Sequence, residues 1–207
     1  MKRLILFVAA LMISGACFAQ EQKSISETVK EVIMSRRSIR KYKNVTVGRD
    51  TLEQILQAGI NAPNGMNRQS WEIRVVDNPA LLESIKDAMA KANPGNNMAR
   101  NCFRGAPVVV FIANDTKYDF STIDCGLLAG NMILSAWSMG VGSVCLGSPV
   151  RFITSPEDSS CAAITTVRQK LGFSEGYEMI ICIEFGYPDE SPKAKPRNES
   201  KYRFVEM

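Results

Sequence analysis

The sequence has no histidine, which excludes several classes of function. Its 207 residues include 25 Lys and Arg, 21 Asp and Glu, and no His. Catalysis by Ser-His-Asp or Cys-His groups, histidine-ligated metal sites and pH switching by histidine are therefore all excluded.

Cysteine is scarce and irregularly spaced. Six cysteines fall to five if an N-terminal signal ending at Ala19 is removed: Cys102, Cys125, Cys145, Cys161 and Cys182. An odd number without a C-x-x-C spacing fits neither a disulfide framework nor a zinc site. We predict no metal and mostly buried thiols, packed as small apolar residues, and leave open one disulfide in an exported protein.

An excess of charge of one sign is also lacking. Removing Lys2 and Arg3 with the signal leaves 23 basic against 21 acidic residues. This dispersed balance does not favour nucleic acid as a partner. Basic residues gather only in 36–43 and 193–203. A local anion site explains these two clusters better than a general positive field.

One long apolar run is present, at the N-terminus. Lys2 and Arg3 precede an apolar stretch from Leu4 to Ile13, which is too short to span a bilayer, and small residues follow it. We predict that 1–19 is a cleaved export signal and 20–207 a single domain, located in a bacterial periplasm. The alternative interpretation is lipidation at Cys17, although Ser14 stands where an aliphatic residue is expected.

Hydrophobic periodicity predicts alternating helices and strands after the signal. Ser24 and Glu27 form a capping box before one helix, Asp50 and Glu53 open a second that Pro63 stops, and Asn78-Pro79 starts a third. The pattern then predicts strands at 71–76, 107–113, 143–146 and 178–185 and helices at 123–139 and 157–171. The order α-α-β-α-β-α-β-α-β indicates an α+β sandwich with helices covering a small mixed sheet.

Two motifs carry the functional signal. The first is the basic group Arg36, Arg37 and Arg40 with Ser38 at a helix end, which suits a phosphate. The second places the amides of Asn67 and Gln69 in a Pro/Gly loop, where they suit the edge of a planar heterocycle. Together the motifs suggest a bound mononucleotide, whereas the first motif alone is also typical of a solvated helix end.

The two motifs together resemble the nitroreductase family of flavin mononucleotide (FMN) enzymes. The family pattern Arg-x-Ser-x-basic is present at 36–40, and Pro-x-x-x-Asn-x-Gln-x-Trp is present at 63–71. This resemblance implies a homodimeric, nitroreductase-like α+β fold. It also implies a ping-pong reaction in which NADH or NADPH reduces FMN and a nitroaromatic or quinone then takes the electrons.

The resemblance also assigns roles to individual residues. It places Arg36, Arg37, Ser38, Lys195 and Arg197 around the FMN phosphate and ribityl chain. Arg40 lies beside the pyrimidine part of the ring, where a fixed cation favours the reduced form and is the protein's main contribution to catalysis. The remaining positions are Asn67 and Gln69 at the ring edge, Gly147 and Ser148 near N5, and either Asn97 or Asn101 on the flavin.

Some alternatives stay open in the sequence. For Trp71, core packing is favoured over stacking on a ligand; for Asp124, a helix-start cap is favoured over an acid or base. Cys145 without a histidine is a poor nucleophile. The rival functions are an exported flavin-binding protein without turnover, and specialised flavin chemistry such as dehalogenation or desaturation on the same fold.

Overall fold

The computed structural model describes residues 23–206, so the predicted export signal at 1–19 lies outside the described residues. Within this range the chain forms two units that divide after Met34. The first contains most of helix α1, Ile25–Ser35, whose N-terminus has the predicted capping box. Glu27 accepts a hydrogen bond from the backbone N–H of Ser24 at 2.9 Å, and the Ser24 hydroxyl accepts one from the Glu27 N–H at 3.2 Å. No residue of α1 is buried.

The second unit contains a four-stranded sheet and the other helices. The helices are α2 (Arg49–Ile60), α3 (Pro79–Ala92), α4 (Ser121–Ser138), α5 (Ser148–Thr154) and α6 (Ala162–Leu171), with short 3-10 turns at Gly65–Asn67 and Glu199–Lys201. The strands are β1 (Trp71–Val76), β2 (Val108–Asp115), β3 (Gly142–Leu146) and β4 (Tyr177–Gly186). This mixture confirms the α+β prediction.

The strand order in the sheet is β1-β2-β4-β3, and all three strand pairs are antiparallel. The sheet is therefore antiparallel, not mixed as the sequence predicts, and a parallel bridge between Ser38 and Ser143 lies outside the named strands. The two central strands, β2 and β4, are the apolar runs that the sequence predicts to be buried on both faces.

Each face of the sheet carries its own apolar core. On one face, Phe111 and Cys182 of the central strands pack with residues of α3, α5 and α6. On the other, Ile112 and Ile183 pack with residues of α2 and α4. Because side chains alternate across a strand, neighbouring apolar residues supply both cores.

Several helix assignments differ from the sequence prediction. Helix α2 is capped by Gly48 and begins at Arg49, one residue before the predicted Asp50. Helix α5 is absent from the prediction, and α6 begins at Ala162 rather than at Glu157. The start of α6 is delayed because the N–H of Glu157 bonds to the Asn93 side chain, and that of Asp158 bonds to the Ala92 carbonyl. Within 23–206, no helix is long and apolar enough to cross a bilayer.

Candidate functional site

The two basic clusters are joined by backbone pairing between 41–43 and 187–189. The Lys43 N–H donates to the Tyr187 carbonyl at 2.9 Å, and the Asp189 N–H donates to the Lys41 carbonyl at 3.0 Å. The chain therefore leaves β4 alongside the segment that follows α1. This places the tail at 192–197 next to Arg36–Arg40.

The same early segment is fixed to the edge strand β3. The Ile39 N–H donates to the Ser143 carbonyl at 2.9 Å, and the Ile39 side chain is fully buried. A Cβ at Gly142 would lie 2.7 Å from Ile39 and 2.9 Å from Pro188, so only glycine allows this close packing. Gly140, at φ +74°, ends the turn after α4. Gly140 and Gly142 thus each have a structural reason to lack a side chain.

A cavity of about 250 Å³ lies between the two clusters. Its lining includes six cationic side chains: Arg36, Arg37, Arg40, Lys193, Lys195 and Arg197, together with Ser38 and Pro192. Lys193 is the cation that sequence reasoning placed in the basic tail without assigning it to the site. The structure therefore brings together every residue that the resemblance assigned to the phosphate.

Arg40 is held through its backbone and is exposed at its side chain. Its N–H donates to the Glu190 carboxylate, and its guanidinium donates to the Ser38 carbonyl at 3.3 Å. Glu190 is thus an acidic residue beside a group of cations. Glu190 positions the Arg40 backbone, and the guanidinium donates to a neutral acceptor, the Ser38 carbonyl.

The amide motif lies on a loop, 64–70, with an unusual backbone. Met66, Asn67 and Gln69 have φ of +52°, +53° and +50°. A left-handed conformation at a non-glycine residue costs roughly 1–2 kcal/mol. Three such residues in one loop must be stabilised by their surroundings, and strain of this kind is concentrated at functional sites.

Side-chain hydrogen bonds stabilise this loop. Inside it, the Asn64 side-chain oxygen accepts from the Gln69 N–H at 2.9 Å. At its ends, Asp124 accepts from the Gly65 N–H at 3.1 Å and from the Ser70 hydroxyl at 2.7 Å. The prediction that Asp124 caps its own helix is wrong, because Phe120 occupies the cap position and the carboxylate faces the loop. This contact spans 59 residues of sequence, so no local pattern indicates it.

Aromatic side chains border the same loop. The Arg68 guanidinium lies over the Tyr118 ring, 4.5 Å from its centre. A Cβ at Gly65 would lie 1.9 Å from the Tyr118 hydroxyl oxygen, so the loop and the ring are in close contact. Trp71, which follows the loop, is 8% exposed and belongs to the core, as the packing interpretation predicts.

Gly147 and Ser148 lie where β3 is followed by α5, and both are exposed. Gly147 is the cap residue of α5, and Ser148 is its first residue. A Cβ at Gly147 would meet nothing within 4 Å. The space in front of this backbone is therefore open to an approaching ligand. Neither residue lines the basic cavity, nor do Asn67 and Gln69.

The segment between α3 and β2 is exposed at both asparagines that the resemblance offers, Asn97 and Asn101. The buried asparagine of this region is Asn93, which donates to the carbonyls of Met89 and Phe152. Its amide oxygen accepts from the backbone of Glu157. Asn93 is thus a structural tie between α3 and the turns before α6.

Glu184 is a fully buried carboxylate on β4. It accepts hydrogen bonds from the backbone N–H groups of Arg104 and Ala106, at 2.8 and 3.3 Å. Burial raises the pKa of this carboxyl above its ordinary value, and the backbone donors oppose that change. Glu184 therefore fixes the turn before β2.

The five cysteines of the described chain are all free thiols. Burial raises the pKa of Cys102 to about 11 and that of Cys125 to about 12, so both stay protonated at neutral pH. Cys182 is also buried, whereas Cys145 is exposed on β3. Residues 23–206 contain no cluster of acidic and cysteine side chains that would hold a metal ion.

Comparison with known proteins identifies the family. Residues 33–187, which include the segment after α1, the loop and all four strands, match the nitroreductase family. The chain belongs to the nitroreductase family. The nitroreductase-like fold predicted from the two motifs is thereby confirmed.

Named nitroreductase relatives cover most of the chain. It is 29% identical over 168 residues to an NADH dehydrogenase/NAD(P)H nitroreductase of Methanothermobacter thermautotrophicus, which covers 79% of both chains. It is 28% identical over 183 residues to an NADPH-flavin oxidoreductase of Vibrio harveyi, covering 81% of this chain and 68% of the relative.

Solved nitroreductase structures with bound FMN have the same fold. One from Desulfitobacterium hafniense is 27% identical with a TM-score of 0.75, and one from Bacteroides fragilis is 28% identical with a TM-score of 0.72. Each comparison covers 86% of this chain and 98% of the other.

Proposed function

We propose that this nitroreductase passes electrons from a reduced nicotinamide, through FMN, to a small nitroaromatic or quinone acceptor in a ping-pong cycle. That it is an FMN-dependent NAD(P)H oxidoreductase follows from its family and from its similarity to FMN-containing nitroreductases and a flavin oxidoreductase. The acceptor and the order of the cycle are the proposal. The family of the chain supports the class of acceptor, and the cationic cavity between 36–40 and 192–197 supports the binding of FMN.

The residues of this cavity fit the FMN phosphate. A phosphate monoester carries nearly two negative charges at neutral pH and three acceptor oxygens. Arg36, Ser38, Lys195 and Arg197 supply a hydroxyl and charged donors for these oxygens, and the planar guanidinium groups can engage them in pairs. Unlike FAD, FMN ends at this phosphate, so a cavity closed by cations favours FMN.

When bound, FMN supplies the hydride chemistry at N5 and carries its negative charge on the pyrimidine side after reduction. We assign Arg40 to that side of the ring, where its cation favours the charged form. Asn67 and Gln69 would bind the polar ring edge through their side-chain amides. The backbone at Gly147 and Ser148, open to approach, would face N5.

We also propose that the enzyme is a homodimer in which each FMN site takes residues from both chains. Three strand spacings, about 14 Å, separate β1 from β3. Along the strands, Trp71 aligns through β2 with Glu178 of β4, whereas Ser143 aligns with Phe185. The seven residue steps from Glu178 to Phe185 correspond to a further separation of about 23 Å along the strand direction. The loop before β1 is therefore far from the cavity of its own chain.

An apolar face beside the loop supports this pairing. Helix α4 turns one side to the core and leaves Ile123 and Leu127 exposed at 57% and 43%, next to its cap residue Phe120 at 57%. These three residues lie on one helix face. Contact of this face with a second copy would bury it and would bring the loop next to the partner's cavity.

Subunit complementation tests the shared site. One chain carries Arg36→Ala and Arg197→Ala, a second carries Asn67→Ala and Gln69→Ala, and the two are co-expressed with different tags. In a shared arrangement, the purified heterodimer has one intact site and one site with all four changes, so it recovers about half of the wild-type activity. Activity no higher than that of either mutant homodimer would exclude sharing.

Turnover is tested with the purified wild-type protein. We expect the flavin absorbance to bleach on addition of NADH or NADPH and to return on addition of a nitroaromatic or quinone. Reduction by the donor should proceed without the acceptor, as a ping-pong cycle requires. A bound flavin that neither nicotinamide reduces would instead favour a flavin-binding protein without turnover.

Export remains part of the proposal, because the signal lies outside the described residues. We propose cleavage after Ala19 and a periplasmic location. The intact mass of protein from a periplasmic extract should correspond to a chain that begins at Gln20. A mass that includes 1–19, or a lipid attached at Cys17, would contradict simple cleavage.

A further inference from the structure

A single buried carboxylate joins the two ends of the strained loop. Asp124 is 3% exposed, and each of its oxygens accepts one hydrogen bond from the loop. One oxygen accepts from the Gly65 N–H at 3.1 Å, and the other accepts from the Ser70 hydroxyl at 2.7 Å. The two donors flank Met66, Asn67 and Gln69, the residues with left-handed backbone.

Both donors match a carboxylate, which only accepts hydrogen bonds. Each oxygen is placed to accept one of the two bonds, and hydrogen bonds in a buried site are electrostatically stronger than those in water. Of the other contacts, the bond between Asn64 and Gln69 lies within the loop, and the Asp115 N–H donates to the Ser70 carbonyl at 3.0 Å, which holds only the end of the loop. Asp124 contacts both ends of the loop and attaches them to α4, a long helix packed on the sheet.

We infer that Asp124 is a positioning residue for the reaction: it fixes the side-chain amides of Asn67 and Gln69 in the orientation that binds the flavin ring edge. This inference rests on the proposed function, which places those amides on the ring. Asp124 is buried behind the loop and acts through its geometry. Without the carboxylate, the left-handed residues relax and the amides lose their fixed direction.

Four variants separate positioning from simple stabilisation. Asp124→Ala removes both bonds. Asp124→Asn keeps the shape, since its oxygen can accept from Gly65 and its NH2 can donate to Ser70 after the hydroxyl rotates. Ser70→Ala removes one bond only and serves if Asp124→Ala does not fold. Ser121→Ala is the matched control, because it removes a buried 2.8 Å bond to Asn114 in the same turn of α4 without contacting the loop.

The variants are compared at saturating FMN by thermal melting, the visible circular dichroism of the flavin and the rate of reduction by NADH or NADPH. We expect Asp124→Ala to slow reduction more than tenfold and to change the flavin circular dichroism, and Ser70→Ala to do the same to a smaller degree. Asp124→Asn should stay within threefold of wild type. Ser121→Ala should lower the melting temperature while keeping the wild-type rate and spectrum.

The inference is overturned if Asp124→Ala and Ser70→Ala, with FMN bound, lose only thermal stability, as the Ser121→Ala control does. It is also overturned if Asp124→Asn is as slow as Asp124→Ala, because the charge rather than the geometry would then matter. If NADH and NADPH do not reduce the flavin bound to the wild-type protein, the proposed function itself is contradicted. That outcome is read from the wild type alone, so the two failures are distinguishable.

Discussion

The basic cavity and the loop 64–70 are held in place by different means. In the cavity, charged side chains project from two segments joined by backbone pairing, and Lys193, Lys195 and Arg197 are exposed. In the loop, the backbone itself is strained, and the side chains of Asn64 and of the buried Asp124 stabilise it. Changes in the cavity should therefore alter affinity without altering shape, whereas changes near the loop should alter shape first.

The largest expected effect is on the cavity side of this comparison. Arg197→Ala should weaken FMN about ten- to a hundredfold and leave riboflavin nearly unchanged, because a hydrogen bond to a charged group contributes about 1.5–3 kcal/mol and riboflavin lacks the phosphate. Fluorescence titration of both ligands measures this difference. Arg203→Ala, an exposed cation of the same tail outside the cavity lining, is the control. An equal loss for both ligands would show that Arg197 supports the fold instead.

On the loop side, Gly65→Ala should disturb the shape of the loop. The new methyl would lie 1.9 Å from the Tyr118 hydroxyl oxygen, and overpacking of this kind costs about 1–3 kcal/mol. FMN and riboflavin should weaken together, because the phosphate is not involved. The double variant Gly65→Ala/Tyr118→Phe lacks the clashing oxygen and should recover part of the loss in the same titrations. If the double variant binds no better than Gly65→Ala, the contact with Tyr118 is not the cause.

Arg40 tests whether the cavity also acts on the reaction. Arg40→Met keeps bulk and removes charge, so it should lower the midpoint potential of FMN while oxidised FMN stays bound. A loss of about 1.4 kcal/mol on the reduced form corresponds to roughly 30 mV for a two-electron couple. Potentiometric titration measures this value, with Lys41→Met as a neighbouring control outside the cavity lining. An unchanged potential at full occupancy would remove Arg40 from the mechanism.

The smallest effect concerns Glu184, a buried charge outside both regions. Its folded pKa is raised above the ordinary value of 4.5, so the unfolded chain releases this proton at lower pH than the folded protein does. The contribution of Glu184 to the free energy of unfolding should therefore fall as pH rises from 4.5 towards the folded pKa. The free energy of unfolding of Glu184→Gln should lack this pH-dependent contribution.

Denaturant titrations of wild type and Glu184→Gln across this pH range isolate the effect, since all other carboxyl groups are shared. FMN affinity should be the same in both proteins. A difference between their stabilities that does not change with pH would contradict the raised pKa.

The sequence predicts the cavity well because its signals are local. The arginines and Ser38 stand within five residues of one another, and the tail repeats a basic-x-basic spacing. Charged residues can be identified from the sequence alone, whatever position they take in the fold. The central strands β2 and β4 are equally predictable, because each contains a long apolar run, and β1 shows alternating polar and apolar residues. Lys193 lay within the predicted basic tail, and only the fold shows that it lines the cavity.

The loop is where sequence reasoning falls short. Positive φ is expected at glycine, yet here it occurs at Met66, Asn67 and Gln69. The contact that stabilises it joins Gly65 to Asp124, and it depends on α4 lying beneath the loop. Asp124 was interpreted as a cap because local capping is the commoner use of an aspartate near a helix start. Helix α5 was missed for a related reason, since its seven residues are too few to show a helical period.

The pairing between the segment after α1 and the tail after β4 also bears on when the protein acquires its cofactor. Arg40 and Glu190, which contact each other across this pairing, are 150 residues apart, and synthesis delivers the N-terminal partner long before the C-terminal one. A chain that ends at Tyr187 would contain all four strands and yet lack half of the cations that line the basic cavity. We therefore expect proteolytic loss of the tail to give a folded but colourless protein, so that flavin content reports the integrity of the C-terminus.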